Sequence, residues 1–480
     1  MGRELMATGT LVRSFAPTEA DTARVLRTAL SRGGDWAEVF WERHRVVSLV
    51  FDDGRLEEAM SGTDQGAGIR VLVGERTIYA NGNITDLDDL TALAGRAAGA
   101  VGRGVAEGVE ELPEMSRVEV LPPSEVRIDP RDVPIEQKVR ILELANAVTR
   151  GHDERITQVT VVYRESVQDV VIANAEGRFA TDTRVRLVFA ANAVAKAGAL
   201  QQTGYEAIGG TVGFEQMSED AVAETARTAA RRAILNLEAE PAPAGTYTVV
   251  VSSEAGGTLI HETVGHGLEA DFNDRGLSVY AGKLGQKVAS ELITVIDDGS
   301  MPGKRGTSAV DDEGTPTRHN VLIENGILRR YLTDRKHAKK MGLPLTGNAR
   351  RQSFRHLPVP RMTTTMIAPG KTDPQEIVRS VENGVFVRKM GGGQVDPVSG
   401  HFAFEISEGY KLRGGKVAEA IRGATLTGHA PTVMNSIDLV GSDLGFSIGT
   451  CGKDGQGAPV SDAQPTIRIP EIVIGGIVKE

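Results

Sequence analysis

Leu259 to Asp271 reads LIHETVGHGLEAD, in which His261 and Glu262 are adjacent and His266 follows Glu262 after three residues. Two imidazoles and a carboxylate are the parts of a metal-dependent hydrolase: neutral histidines hold the ion, and the carboxylate takes a proton from water bound to it. In the familiar metalloprotease pattern only two residues separate Glu from the second His, so both imidazoles share one face of an α-helix. At about 3.6 residues per turn, positions five apart diverge by about 140°, too far to share an ion. One π-type turn of about 4.4 residues brings them back to within about 50°. Gly265 stands just before His266, where a helix can distort or end at low steric cost. The spacing therefore demands irregular backbone. Without it, the two histidines are unrelated hydrogen-bonding groups around a helix end.

A catalytic zinc also needs a third protein ligand, with water in the fourth position. Glu269, Asp271, Glu291, His401, His429 and Cys451 all carry suitable donors. Cys451 lies in the Gly-rich FSIGTCGKDGQGAP, where a thiolate can approach an ion without steric conflict and Lys453 would favour the thiolate. A lone cysteine is more often a small buried hydrophobe, and otherwise a nucleophile or a metal ligand. The run KMGGGQVDPVSGHFAF is followed by no helix start, which argues against a phosphate loop. It reads either as a hairpin connection or as backbone to which an extended peptide adds as a strand, and His401 within it either steadies an oxyanion or packs. In ARRQSFRHLPVPR, Arg350, Arg351, Arg355, His356 and Arg361 crowd together, either as a solvated basic rim or as an anchor for a substrate carboxylate.

The elements that must position these residues fall into two halves. PTEADTARVLRTALSRGG carries helix start and stop signals, and further helices are expected over about 85–100, across IEQKVRILELANAVTRG, and over about 218–237. WAEVFWERH and IRVLVGERTIYANGN alternate as strands, as do 156–163, 169–173 and 184–191. Residues 1–237 thus read as an α+β domain, and EAEPAPAGT (238–246) as a linker. Residues 247–480 read as a mainly antiparallel β domain carrying one important helix, the metal-site helix. Its strands include YTVVVSS, ELITVIDD, HFAFEISEGYKL and TIRIPEIVIGGIV, with a hairpin at Asn325-Gly326.

The 480 residues, 40% hydrophobic and 25% charged, suit two globular domains. A net charge of −10 argues against nucleic acid as a direct partner. The start of the chain, MGRELMATGTLVRSFAP, lacks the apolar core of a signal peptide, and no segment is long enough to span a membrane. One cysteine allows no internal disulfide and fits a reducing compartment, so a cytoplasmic location is expected.

Taken together, HETVGHGLEADF, NARRQSFRHLPVPRM, GGGQVDPVSGHFAFEISEGY and GTCGKDGQ resemble the TldD/PmbA family, also called modulators of DNA gyrase, on its TldD side. The resemblance runs over nearly the whole chain and is most specific over about 247–455. It implies a metallopeptidase in which His261, His266 and Cys451 bind Zn2+ and Glu262 is the catalytic base. It also implies unfolded or short peptides and peptide precursors as substrates, and a paralogous TldE/PmbA-like subunit or a second copy as partner. Two other readings keep the same residues in other roles: a peptide-binding or assembly protein with a closed structural zinc, and a cysteine hydrolase using Cys451.

Overall fold

The computed structural model describes residues 15–101, 111–120 and 124–476. Residues 1–14 of the amino-terminal stretch read above, and the last two residues of the closing strand run, lie outside them.

Strands β1 (Trp36–Asp52), β2 (Arg55–Val73), β3 (Arg76–Asn83), β4 (Ile156–Asn174), β5 (Arg178–Ala197) and β6 (Leu200–Gly210) form an antiparallel sheet in the order β3-β2-β1-β4-β5-β6. Helices α1 (Glu19–Leu30), α2 (Leu87–Val101), α3 (Ile135–Arg150) and α4 (Glu219–Glu238) lie near the lengths their periodicity gives. Successive side chains of a strand face opposite ways. On β1, Ala37, Val39 and Trp41 pack with α1 and α2, while Val47, Leu49 and Phe51 pack with α3 and α4. Burying such side chains contributes about 1.5–3 kcal/mol each, so the register is fixed.

The other face of β1 carries buried carboxylates beside Phe40, because the second half of the chain covers it. Glu38 accepts from Arg351 at 2.6 Å and Arg70 at 3.0 Å, and Glu42 accepts from the Phe354 N–H at 2.7 Å and Gln168 at 2.6 Å. These pairings correct the reading of ARRQSFRHLPVPR as a solvated rim: Arg350, Arg351 and Arg361 are buried, Arg351 against Glu38 of the first half. Arg355 alone matches that reading, at the surface beside Asp64.

Two strands are longer than their patterns suggest. β4 continues through Arg164–Gln168, where alternation fails, because the buried Glu165 is held by Lys138 of α3 at 2.6 Å and by the Tyr163 hydroxyl. β2 extends back through a polar, Gly-rich stretch in which two glycines are required by space: a Cβ on Gly66 would lie 2.4 Å from the Phe354 ring, and one on Gly68 2.0 Å from the Tyr79 hydroxyl.

The second half contains β7 (Gly245–Val251), β8 (Val295–Asp298), β9 (His319–Glu324), β10 (Thr364–Ile367), β11 (Asn383–Val395), β12 (His401–Arg413), β13 (Ala424–His429), β14 (Gly445–Lys453), β15 (Gln456–Gln464) and β16 (Ile467–Gly475). One sheet runs β9-β8-β10-β15-β14, and the other runs β11-β7-β16-β13-β12 and closes through β11–β12 pairing. Pairing is mainly antiparallel, with β7–β11 and β10–β15 parallel. Asn325 and Gly326 both have positive φ, 47° and 81°, and join β9 to the short strand Ile327–Leu328. The helical segment that carries the two histidines is not the second half's only helix among the described residues. Short helices occupy Ala270–Asp274, Arg335–Met341, Pro374–Arg379 and Ala430–Ser436, all below the length at which periodicity is readable. Caps mark two of them, since Asp334 and Asp373 accept from the N–H groups of His337 and Gln375. Within 238–246, Glu240–Pro241 pairs with Ile421–Arg422, which holds this stretch on the second half.

α4 is tied to β12 by a buried carboxylate. Glu408 accepts from Arg231 at 3.0 and 2.9 Å, from Arg232 at 2.9 Å and from the Tyr410 hydroxyl at 2.8 Å. Burial alone would raise its pKa, but these donors hold it at about 2. A depressed carboxyl stabilises the fold above its unfolded pKa, and that contribution is lost as pH falls through the folded value. Glu408→Gln is expected to cost on the order of 3 kcal/mol at neutral pH. Denaturant melts from pH 7 down to pH 2 should show wild type losing that margin between about pH 4 and pH 2, and the variant losing less.

Candidate metal centre

Thr258 to Leu268 follows β7 and is built from three helical pitches: a first turn at Thr258–Ile260, a π-turn at His261–Gly265, and a 3₁₀ turn at His266–Leu268. The wide turn is the irregularity that the five-residue spacing requires, and it brings the two imidazole centroids to 5.1 Å. Gly265 serves this turn through space rather than conformation. Its φ of −54° and ψ of −58° suit any residue, but a Cβ there would lie 1.9 Å from Met362 Sδ.

Cys451, on β14, completes the cluster. Its Sγ lies 3.2 Å from His261 Nε2 and 3.3 Å from His266 Nε2, and the three donor atoms all fall within 4.8 Å of one another. This is the only such His/Cys/Asp/Glu group among the described residues. Imidazole nitrogen and thiolate sulfur on a tetrahedral zinc would be about 3.6 Å apart, so the donor set fits a borderline-soft divalent ion after small side-chain shifts. The remaining ring nitrogens are also engaged: His261 Nδ1 is 2.6 Å from Asp462, and His266 Nδ1 is 3.0 Å from Glu269. Carboxylates in these positions fix the tautomer that turns Nε2 toward an ion.

The other candidate donors are placed elsewhere. Glu269 orients His266 and pairs with Lys453 at 3.0 Å, and Asp271 pairs with Lys453 at 2.7 Å. Lys453 therefore meets these carboxylates, with no contact to the thiolate. Glu291 pairs with Lys287 at the surface, and His401 packs against His429 with the rings tilted and centroids 5.4 Å apart. Asp462 was not among the sequence candidates, although a carboxylate inside the strand run APVSDAQPTIRI is a signal that could have marked it.

Electrostatically the centre is built for a thiolate. Burial would push the Cys451 thiol up, but hydrogen bonds from His261 and His266 bring it down to about 5. Burial likewise would raise Glu269, and Lys453 with His266 brings it to about 2. Glu262 lines a cavity of about 1090 Å3 together with His261, His266 and Cys451. Burial raises its carboxyl pKa against the pull of both imidazoles, and none of its described neighbours acts on it through a hydrogen bond. A carboxylate left free beside three ligand atoms can exchange a proton with water held there.

The cavity lies between β6 and the second half. Residues 389–395 of β11 form part of its wall, along with 446–454 and Pro397. Beyond Val387, where pairing with β7 ends, this strand is paired on one side only, with β12, through a series of register shifts. The Gly391–Gly393 run is thus an irregular strand edge, and the turn follows it at 396–400. None of Arg350, Arg351, Arg355, His356 or Arg361 lines this cavity. Arg361 instead supports the centre from behind, donating to the carbonyls of Cys451 and Gln456.

Three domain profiles match the chain: PmbA/TldA metallopeptidase domain 1 over 37–101, the central domain over 128–237, and the C-terminal domain over 244–476. A Haemophilus influenzae protein named metalloprotease TldD homolog is 35% identical over 463 residues, covering 93% of this chain and 94% of its own. A Saccharolobus solfataricus protein named zinc metalloprotease TldD homolog is 34% identical over 250 residues, 52% of this chain and 56% of its own. The crystal structure of TldE from Thermococcus kodakarensis superposes with a TM-score of 0.74 at 19% identity, covering 95% of this chain and 100% of that one.

Proposed function

The chain belongs to the PmbA/TldD metallopeptidase family, and from that premise we propose that it is a zinc peptidase acting on unfolded or short peptides. His261, His266 and Cys451 are the proposed ligands and Glu262 the proposed general base. The observation that carries this reading is the convergence of three ligand atoms from residues 185 and 190 positions apart in sequence, on a cavity wall beside a carboxylate with no hydrogen bond of its own. Bound zinc would polarise the scissile carbonyl and lower the pKa of its water to about 7. Glu262 takes the water's proton and delivers it to the leaving amine, a role suited to a carboxyl whose pKa burial raises. Asp462 and Glu269 hold the imidazoles, and Lys453 keeps Glu269 ionised.

An extended peptide would add as a strand to the open edge of 389–395, which suits recognition by backbone rather than by side chain. The resemblance to TldD makes a paralogous subunit of the same fold, or a second copy, the proposed partner. No helix among the described residues is long and apolar enough to cross a membrane, in keeping with the proposed cytoplasmic location.

Cleavage of an unfolded peptide, followed by mass spectrometry of the products with and without the partner subunit, tests the proposal. Activity should vanish on chelation and return with zinc. Activity that survives full removal of metal would favour a cysteine hydrolase using Cys451. A stoichiometric zinc with no open coordination position would favour a structural site.

A further inference from the structure

A second, smaller cavity of about 160 Å3 lies between β1, β4 and β5 of the first half and the β14–β15 hairpin of the second. At about 30 Å3 per liquid water it has room for one small ion with a few waters. Its wall holds five guanidinium groups, of Arg184, Arg186, Arg305, Arg350 and Arg351. Two are neutralised: Arg184 pairs with Asp182 at 3.0 Å and Asp312 at 2.6 Å, and Arg351 pairs with Glu38.

The other three have no carboxylate partner among the described residues. Arg186 is only 7% exposed, its Nε has no hydrogen-bond partner, and its one bond is a long 3.4 Å contact to Gln168 Oε1. Arg350, also 7% exposed, donates to the carbonyls of Met362 and Pro459, both at 2.6 Å. Arg305 donates to the Gly449 carbonyl and the Thr450 hydroxyl. The acids on the wall are already engaged, since Asp311 accepts from the N–H groups of Glu313, Thr315 and Ala349, and Asp312 serves Arg184 and the Arg351 N–H.

Buried charge without a counter-charge is strongly unfavourable, and a guanidinium group does not shed its proton at neutral pH. We propose that this cavity is a binding site for a small oxyanion, a phosphate-like ion or a carboxylate, held by Arg186, Arg305 and Arg350. Planar guanidinium groups match the paired oxygens of such ions. Burial and the neighbouring guanidiniums lower Arg186 to about 9, as expected for a cation lacking its partner. The site joins the two halves and backs onto the strand that carries Cys451, because Thr450 borders both cavities. An ion here would brace the hairpin that presents the thiolate.

The carboxylate could be the terminus of a peptide lying in the larger cavity, and the phosphate could be free in solution. Both are tested by thermal unfolding of the full chain at fixed ionic strength, with inorganic phosphate titrated against chloride, and with a short peptide as free acid or as C-terminal amide. Wild type should show a saturable rise in melting temperature. Arg186→Gln, and Arg305→Gln at the less buried edge, should weaken the apparent dissociation constant roughly 10- to 100-fold. A phosphate response lost in both variants assigns the site to a free oxyanion. A response only to the free-acid peptide, lost in both, assigns it to a carboxylate. Equal shifts in wild type and both variants, or no saturable shift with either ligand, would overturn the proposal. Because Arg305 is only partly buried, its variant still gives an answer if Arg186→Gln does not fold.

Discussion

Glu262→Gln is expected to reduce peptide cleavage by about 10²- to 10⁴-fold while leaving bound zinc at the wild-type level. The amide is nearly isosteric with the carboxylate, so the cavity wall and the three ligand atoms stay as they are. What is lost is an acceptor able to carry a proton from water to the leaving amine. Glu262 has no hydrogen bond among the described residues and lies beside the ligand atoms, so its removal leaves no buried partner unsatisfied. The fall should appear in kcat, with KM little changed, because a proton-transfer group contributes in the transition state rather than in the bound substrate. Single-turnover kinetics together with metal analysis check this, and a wild-type rate in the variant would remove Glu262 from the mechanism.

Cys451→Ser is expected to have the largest effect on metal. Cys451 is the chain's single thiol, and the surrounding charges already favour its ionised form, with a pKa of about 5. A serine hydroxyl in its place stays protonated and is a poor ligand for a borderline-soft ion. Two imidazoles alone do not make a tight site, so zinc affinity measured against a competing chelator should fall by well over 100-fold. That exceeds the 10- to 100-fold loss typical when an outer-shell partner is removed, which is the range expected for Asp462→Asn. The fold should survive, because Cys451 is the small, least demanding member of a wall otherwise held by the β14–β15 register, with Cys451 opposite Ala458.

Much of the site was legible in the sequence, because its central motif is local. The His-Glu-x-x-x-His spacing required a wide turn, and the backbone has a π-turn at 261–265. Where the local reading failed, distant residues decide the outcome. Gly265 suggested conformational freedom, whereas its requirement is set by Met362 almost a hundred residues on. Asp462 orients His261 across 201 residues, a relation that no local pattern encodes. The basic stretch around Arg351 looked solvated because its counter-charges, Glu38 and Asp312, come from elsewhere in the chain. The long strands of the first half were read in pieces for the same reason: Glu165 breaks the alternation of β4 only until Lys138 of α3 is brought beside it.

The central claim is that two imidazoles and one thiolate hold a zinc with one position left for water. X-ray absorption at the zinc edge of the metal-loaded protein tests it directly. The expected spectrum has one sulfur neighbour at about 2.3 Å and nitrogen or oxygen neighbours at about 2.0–2.2 Å, two of them with imidazole scattering. In Cys451→Ser the sulfur shell should be absent. A wild-type spectrum without sulfur would contradict the assignment of Cys451 and, with it, the joining of the distant strand to the histidine turn.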